Sequence, residues 1–285
     1  MRALVFVSLL AGCSLGTPGV CRLQAVADVP VTLARGSIEV PGAINHSPAQ
    51  FVVDTGADRT VLSTTAVKNY LLAHSERSIT HLSGLGGMVS HADVYADLQL
   101  GDAHFQQRLA EAEIPQGAGL LGADMLSDYD VEFDLPDGRF RLWRAPDCNA
   151  ADIPWSGPRS TLAINVTDSQ GLRVVVVVNG IRLAAILDSG ATVTLMTTDA
   201  ARRLGVAQTE LAYDPEVLVR GVGAGNIALR LHRFNSINVG GDQIASMQIG
   251  VGEFQIRTLD MILGLDYLRQ HKVWVSYRTH EISIQ

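Results

Sequence analysis

Hydrophobic residues in this chain alternate with polar ones in short runs that end at Gly, Pro, Asn or Asp. This pattern is typical of β-strands joined by tight turns. The clearest case is a hairpin with strands Val174–Val178 and Ile181–Leu187 around an Asn179-Gly180 turn, a dipeptide that favours two-residue hairpin loops. Further strands are predicted at Val31–Leu33, Ser37–Val40, Phe51–Val53, Val131–Phe133, Arg139–Trp143, Val273–Tyr277 and Glu281–Ile284.

Helical patterns are few and short. The two longest are predicted at Thr64–His74 and Thr197–Leu204, where hydroxyl residues can cap the first turn. One more short helix is expected after each of two aliphatic-aliphatic-Gly motifs, Leu120-Leu121-Gly122 and Ile262-Leu263-Gly264. The sequence therefore predicts a protein built almost entirely of strands.

The chain also contains an internal repeat. The run Phe51-Val-Val-Asp54-Thr-Gly-Ala57 recurs as Ala185-Ile-Leu-Asp188-Ser-Gly-Ala191. Each copy is followed by a glycine cluster, within 84–87 and within 221–225, and then by one of the aliphatic-aliphatic-Gly motifs. Because order and spacing agree, we expect two copies of one structural unit, each carrying an Asp just after a strand.

The repeat sets the predicted domain boundaries. The first lobe is placed at residues 28–146 and the second at 159–285, with a Pro- and Gly-rich linker at 147–158. Residues 1–12 are predicted to be a targeting signal, too short to span a bilayer, and residues 13–27 a tether.

Composition narrows the possible functions. With 47% hydrophobic and 18% charged residues the chain can bury a core, and its formal charge of −7 with no Lys or Arg run excludes nucleic acid as an expected partner. The glycine clusters lack the residues of a phosphate-binding loop, the histidines and cysteines lack metal-ligand spacing, and no Gly-x-Ser-x-Gly is present. We therefore expect no metal and no cofactor.

The first residues indicate export. Leu10-Ala11-Gly12-Cys13 resembles the lipobox of bacterial lipoproteins, in which the Cys carries the lipid anchor, and Ser14 would direct the protein to the outer membrane. Membrane attachment through Cys13 in the periplasm is thus the favoured expectation. The alternative is ordinary signal cleavage after Ala25-Val26-Ala27.

Two further cysteines allow one disulfide. If Cys13 is lipidated, Cys21 and Cys148 can pair in an oxidising compartment. Spacing alone leaves an equal alternative, in which Cys148 is a free thiol and Cys21 lies in a flexible tether.

The two Asp-Thr/Ser-Gly-Ala motifs, with the later aliphatic-aliphatic-Gly motifs, resemble the aspartic peptidase family over roughly Val29 to Gln285. Asp54-Thr-Gly-Ala-Asp58 is similar to the retroviral peptidases, which are homodimers of one such lobe, and the covalent second lobe is similar to the pepsin-like enzymes. The resemblance implies an all-β fold of two homologous retropepsin-like closed β-barrel lobes with short helices, related by a pseudo-twofold axis with a cleft between them. A monomer is expected.

The same resemblance implies roles for the repeated residues. Asp54 and Asp188 would hold a nucleophilic water and share one proton, because amide hydrolysis needs a base and an acid at once; aspartic proteases are a standard example of this sharing. The hydroxyls of Thr55 and Ser189 would lock the two loops together, and Gly56 and Gly190 would leave room for substrate beside the carboxyls.

The resemblance also implies substrate contacts at several positions whose motifs are less specific. Asp58 would bind substrate backbone although its counterpart Thr192 is uncharged, which predicts an asymmetric cleft. The remaining candidates are Leu120 and Ile262, which are equally explained as core residues, and the flap glycines Gly84, Gly86, Gly221 and Gly223, which are equally explained as turn residues.

The favoured activity is an aspartic endopeptidase acting on a peptide or protein substrate. The alternatives are a non-catalytic envelope lipoprotein that grips an extended peptide in the same cleft, and a structural lipoprotein.

Overall fold

The computed structural model describes residues 20–84, 87–114, 116–220, 226–254 and 258–285, with side chains omitted at 76–79, 82–84, 87–91 and 220. The fold is all-β, as predicted, with three sheets and few short helices. Its first half contains strands β1 (Gln24–Pro30), β2 (Thr32–Ala34), β3 (Ser37–Ile44), β4 (Ser47–Val53), β5 (Val61–Ser63), β6 (His74–Gly84), β7 (Gly87–Leu100), β8 (Ala103–Ala112), β9 (Gly119–Leu121), β10 (Asp130–Asp134) and β11 (Arg139–Arg144).

The second half repeats this plan. Its strands are β12 (Ser160–Ala163), β13 (Asn165–Val166), β14 (Leu172–Val178), β15 (Ile181–Leu187), β16 (Leu195–Thr197), β17 (Glu216–Arg220), β18 (Asn226–Phe234), β19 (Ile237–Val239), β20 (Asp242–Ile244), β21 (Met247–Gly252), β22 (Met261–Leu263), β23 (Lys272–Ser276) and β24 (Glu281–Ile284). The predicted hairpin forms β14 and β15, and Asn179 and Gly180 between them both have positive φ. Its valines alternate between buried and more exposed positions, so one face of the strand is turned to the core.

Each half closes into a barrel. In the first, the order β3-β4-β9-β5-β8-β7 is completed by pairing of β7 with β3. In the second, β14-β15-β22-β16 continues into β21 and β18, and the ring is completed because β19, which follows β18 directly, pairs with β14. The two barrels therefore use equivalent strands in the same order.

A third sheet joins the lobes. Its six strands have the order β1-β11-β10-β23-β24-β12, and the joint is the antiparallel pair β10–β23. The strands predicted at the ends of the two lobes thus belong to one sheet. Because the largest cluster of buried apolar residues draws on both lobes, the two barrels share a continuous core.

The helices are α1 (Thr64–Asn69), α2 (Ala123–Leu126), α3 (Thr198–Arg203), α4 (Gln208–Leu211) and α5 (Leu265–Leu268). Hydroxyls cap the two predicted longer helices, since Ser63 accepts from Ala66 N and Thr197 from Ala200 N. Helix α1 ends earlier than the predicted His74, because Leu71 takes a positive φ and the chain then enters β6. Helix α4 was not predicted.

Two predicted connecting segments are more ordered than their composition suggested. Residues 24–27, assigned to the tether, belong to β1, where Val26 and Ala27 are buried. In the predicted linker, Trp155 donates a 2.9 Å hydrogen bond to the buried Glu132 carboxylate and packs edge-on against Trp274. The part of the linker around Trp155 therefore packs against the sheet between the lobes.

Cys21 and Cys148 are joined in a disulfide, which ties the segment before β1 to the segment after β11. Cys13 and the predicted targeting signal lie outside the described residues. Among the helices of the described ranges, none has the length and apolar character needed to cross a bilayer.

Candidate active site

Asp54 and Asp188 stand at equivalent ends of the two barrels. Each follows a strand, β4 or β15, that runs parallel to the strand of an aliphatic-aliphatic-Gly motif, β9 or β22. The backbone N–H of Asp54 donates to Leu121 O and that of Asp188 to Leu263 O, both at 3.0 Å. The repeated motifs therefore position the two aspartates by the same local structure.

Four hydrogen bonds join the two aspartate loops. The Thr55 hydroxyl donates to Leu187 O at 2.9 Å and accepts from Ser189 N at 3.0 Å. The Ser189 hydroxyl donates to Val53 O at 2.8 Å and accepts from Thr55 N at 3.0 Å. Both side chains are buried. Because each hydroxyl bridges to the opposite lobe, the two loops are held in one fixed relation.

The two carboxyl groups lie next to each other at this junction. Asp54 Oδ1 accepts from Gly56 N and Ala57 N, and Asp188 Oδ1 accepts from Gly190 N at 2.8 Å and from Ala191 N. The backbone thus orients both carboxyls in the same way.

The two glycines leave space that the carboxyls occupy. A Cβ added to Gly56 would lie 2.3 Å from Asp188 Cγ, and a Cβ added to Gly190 would lie 2.3 Å from Asp54 Cγ. Each glycine therefore contacts the carboxyl of the other lobe, and a larger residue at either position would push the pair apart.

The electrostatics of the pair favour one shared proton. Burial, the charge of Asp188 and a hydrogen bond with the Asp188 carboxyl raise the pKa of Asp54 well above its ordinary value. Burial also raises the pKa of Asp188, although the hydrogen bond with Asp54 opposes this shift. Two carboxylates so close together cannot both ionise easily, and the titration belongs to the pair. The arrangement can hold one acid and one base side by side.

A second matched pair of residues was not predicted from the sequence. Asp124 accepts hydrogen bonds from Thr60 N and Thr60 Oγ1 at 2.8 and 2.7 Å, and Asp266 accepts equivalent bonds from Thr194. Each hydroxyl also accepts from the glycine N–H of the aliphatic-aliphatic-Gly motif, Gly122 or Gly264. These contacts fix the aspartate loops to α2 and α5. Extending the repeat by two residues, to Gly-Ala-Asp and Gly-Leu-Asp, would have revealed them.

Tyr277 was also missed as a neighbour of the pair. Its side chain is buried, and burial together with the charge of Asp54 raises its pKa. Its hydroxyl has no hydrogen-bond partner among the residues that the structure describes. No sequence signal marked it, because a strand-end tyrosine is an ordinary core residue.

The residues predicted to bind substrate are less uniform. Leu120 and Ile262 are both buried, and Ile262 packs with Leu195 and Leu229 in a cluster separate from the main core. Asp58 is exposed, whereas its counterpart Thr192 donates a 3.0 Å hydrogen bond to Gly36 O. The two sides of the site thus differ, as their side chains imply.

The glycine clusters follow paired strands in both lobes. Gly84 pairs with Gly87 where β6 and β7 meet, and β17 pairs with β18 as far as Arg220 and Asn226. Gly86, Gly221 and Gly223 lie outside the described residues.

Two barrels that each supply one aspartate to a common junction define the two-lobed aspartic proteinase fold. Residues 165–276 match the family described as "Aspartyl protease", and residues 40–128 match "gag-polyprotein putative aspartyl protease". Each lobe is therefore similar to an aspartyl protease family, as the resemblance of its motifs indicated. The matches also agree with the internal repeat, since each covers one lobe.

Similar proteins include one relative and one solved structure. The chain is 30% identical over 109 residues to DNA damage-inducible protein 1 of Phaeosphaeria nodorum, a match that covers 38% of this chain and 23% of that protein. The crystal structure of aspartic proteinase from Irpex lacteus matches with a TM-score of 0.55 and 14% identity, covering 90% of this chain and 96% of that one. The structural likeness extends over both lobes and supports the fold.

Proposed function

We propose that this protein is an aspartic endopeptidase that hydrolyses peptide bonds with a water activated by Asp54 and Asp188. The observation that carries the proposal is the paired carboxyl group with its raised pKa, held at the junction of the lobes by the hydroxyls of Thr55 and Ser189. The aspartyl protease families matched by both lobes support the same class of reaction.

In the proposed reaction, a water bound between the carboxyls gives a proton to ionised Asp188 while its oxygen attacks the substrate carbonyl carbon. Protonated Asp54 gives its proton to the carbonyl oxygen, so a neutral tetrahedral intermediate forms. Asp188 then delivers its proton to the amide nitrogen, the intermediate's hydroxyl returns a proton to Asp54, and the C–N bond breaks. The pair ends in its starting protonation state.

The two carboxyls are interchangeable in this scheme. Burial raises the pKa of both, and a hydrogen bond joins them, so one proton is held by the pair. Since the titration is shared, the proton starts on Asp54 in the reaction as written, and the reverse assignment balances equally well.

The test is cleavage of a diverse peptide library from acidic to neutral pH by the wild type and by Asp54→Asn and Asp188→Asn. Asp137→Asn is the matched control, because Asp137 is an exposed turn residue far along the chain from both loops. We expect cleavage by the wild type and the control, and loss in both active-site variants. Cleavage that survives either substitution would refute the shared pair. Peptide binding by folded wild type without cleavage would favour the non-catalytic alternative.

We also propose that the protein is exported and works as a monomer, anchored by a lipid on Cys13. The disulfide between Cys21 and Cys148 supports an oxidising compartment, and a site supplied by both lobes of one chain needs no second copy. Labelling cells with a radioactive fatty acid tests the anchor, with Cys13→Ser as the variant expected to lose the label. Sedimentation of the wild type tests the monomer.

A further inference from the structure

The two lobes differ at one place beside the aspartate loops. The first lobe has a cavity of about 270 Å³, lined by Arg59, Thr60, Thr80, Asp93, Arg108, Ala110 and Asp124. This volume is below the roughly 300–1,000 Å³ typical of small-molecule sites. It suits a single side chain of a larger ligand.

The second lobe provides an internal comparison, because strand pairing identifies the equivalent positions. Val61 pairs with Ala110 as Leu195 pairs with Gly250, so Arg108 corresponds to Gln248. The repeated aspartate loop makes Arg59 equivalent to Val193.

The hairpins complete the comparison. Extension of the β7–β8 register places Asp93 opposite Ala110, as Leu231 lies opposite Gly250, so Asp93 is equivalent to Leu231. The pairing of β6 with β7 and of β17 with β18 then makes Thr80 equivalent to Val217. Three polar positions of the first lobe are thus apolar in the second.

One part of the cavity, the Thr60–Asp124 pair that we call its floor, has an equivalent in the second lobe. The wall, formed by Arg59, Thr80, Asp93 and Arg108, differs between the lobes. The Thr60–Asp124 hydrogen bonds recur as Thr194–Asp266. In the second lobe, Val193 and Val217 pack on a buried apolar cluster. If Arg59 and Thr80 only packed against the Thr60–Asp124 pair, apolar side chains would serve in the first lobe as they do in the second.

The cavity is lined by two aspartates and two arginines, which differ in how far their polar atoms are already engaged. Asp124 is partly buried and accepts two hydrogen bonds from Thr60. Asp93 is buried and already interacts with another residue. Both guanidinium groups, in contrast, belong to exposed residues. Arg59 acts on Asp124 only through its charge, and Arg108 forms no ion pair with any residue that the structure describes. The donors that remain available are therefore those of arginine, the side chain best suited to carboxylates.

The cavity lies within reach of a peptide held at Asp54. Arg59 follows Asp54 by five residues, so the two are at most about 18 Å apart along the chain. An extended peptide advances about 3.3 Å per residue. The cavity therefore lies within the length of about five extended peptide residues of Asp54.

We propose that this cavity is a subsite for an acidic side chain, Asp or Glu, on one side of the scissile bond. The proposal rests on the peptidase function proposed above. It makes Arg59 and Arg108 specificity-determining residues, and it explains why the equivalent wall of the second lobe lacks both charges.

The test uses end-blocked peptides with two central apolar residues, in which each flanking position in turn carries Glu or Gln. The variant Arg59→Val with Arg108→Gln gives the first lobe the side chains of the second. We expect one flanking position at which Glu raises kcat/KM over Gln about tenfold in the wild type, and loss of this ratio in the double variant. Arg108→Glu should reverse the preference toward Lys.

The same peptides are also tested for binding to Asp188→Asn, so that the subsite is measured separately from turnover. Tighter binding of the Glu peptide, lost when the two arginine substitutions are added, supports the subsite even if the wild type cleaves nothing. The subsite is overturned if Glu and Gln peptides behave alike in both assays, or if a preference for Glu survives the double variant. Failure of cleavage alone counts only against the peptidase.

Discussion

The hydrogen bonds between the aspartate loops predict a large and specific effect of removing one hydroxyl. In Thr55→Val a methyl group replaces the hydroxyl with little change in shape. Leu187 O loses its donor and Ser189 N loses its acceptor, in a region where both side chains are buried. Each unpaired buried group costs about 1–3 kcal/mol, so Thr55→Val should lower the free energy of unfolding by about 2–6 kcal/mol.

Thr55→Ser is the matched control, since Ser already performs this role at position 189. It keeps both hydrogen bonds and removes one methyl group, which should cost about 1 kcal/mol. Ser189→Ala should behave like Thr55→Val, because it leaves Val53 O and Thr55 N unpaired. The two truncations combined should cost less than their sum, since the loops are already separated after the first.

Urea unfolding followed by tryptophan fluorescence measures these differences, and Trp143, Trp155 and Trp274 all lie in or beside the sheet that joins the lobes. If Thr55→Val and Thr55→Ser unfold at the same urea concentration, the hydroxyls do not hold the lobes together and the reasoning is wrong.

Three further predictions follow from the same site and its surroundings. First, the raised pKa of Asp54 means that its contribution to stability is fully present below the ordinary aspartate pKa of about 3.9 and is lost as pH rises through the folded pKa of the pair. Asp54→Asn should therefore flatten the fall in melting temperature between acidic and neutral pH; equal slopes would contradict this. Second, Gly190→Ala should reduce turnover about a hundredfold or more by displacing Asp54. Gly180→Ala has open space around its Cβ and a positive φ, so it should strain only its own hairpin turn and keep turnover in the same peptide assay. Third, Cys21→Ser with Cys148→Ser should lower stability by about 2–5 kcal/mol, and a reducing agent should then shift the melting temperature of the wild type but not that of the variant.

The repeat made the aspartate loops predictable. Two copies of the motif predicted two equivalent strands, and the structure has them as β4 and β15 with Asp54 and Asp188 just beyond. The Asn179-Gly180 turn was equally clear, because that dipeptide readily takes the positive φ values that a two-residue loop needs. Local sequence was sufficient wherever the structure depends on local geometry.

Pro41 and Gly42 show how such local signals can mislead. The predicted strand Ser37–Val40 stopped before them, yet both lie inside β3. One edge of β3 pairs with β2 only as far as Glu39 and with β7 only from Ala43. Pro41 therefore stands where no neighbour on that edge needs its missing N–H, a position at which strands tolerate proline.

The sheet between the lobes was beyond sequence reasoning for a different reason. An alternating pattern at Val131–Phe133 predicts a strand but carries no information about its partner, which is β23 in the other lobe. The same holds for Glu132, which accepts from the indole of Trp155 in the predicted linker. These contacts join residues far apart in sequence, and nothing in either segment encodes the other.

A covalent duplication explains why the two lobes can have equivalent Thr–Asp pairs and yet differ in the residues around them. In a symmetric homodimer, every residue appears on both sides of the site, so an arginine at position 59 would be matched by a second one across the cleft. Here the second copy has Val193, while the Asp, hydroxyl and Thr–Asp contacts remain paired. The residues that are alike in both lobes are those that fix the positions of the two carboxyl groups. The positions that diverged line a cavity of the first lobe only, and under the proposed function this is where an asymmetric ligand would be distinguished.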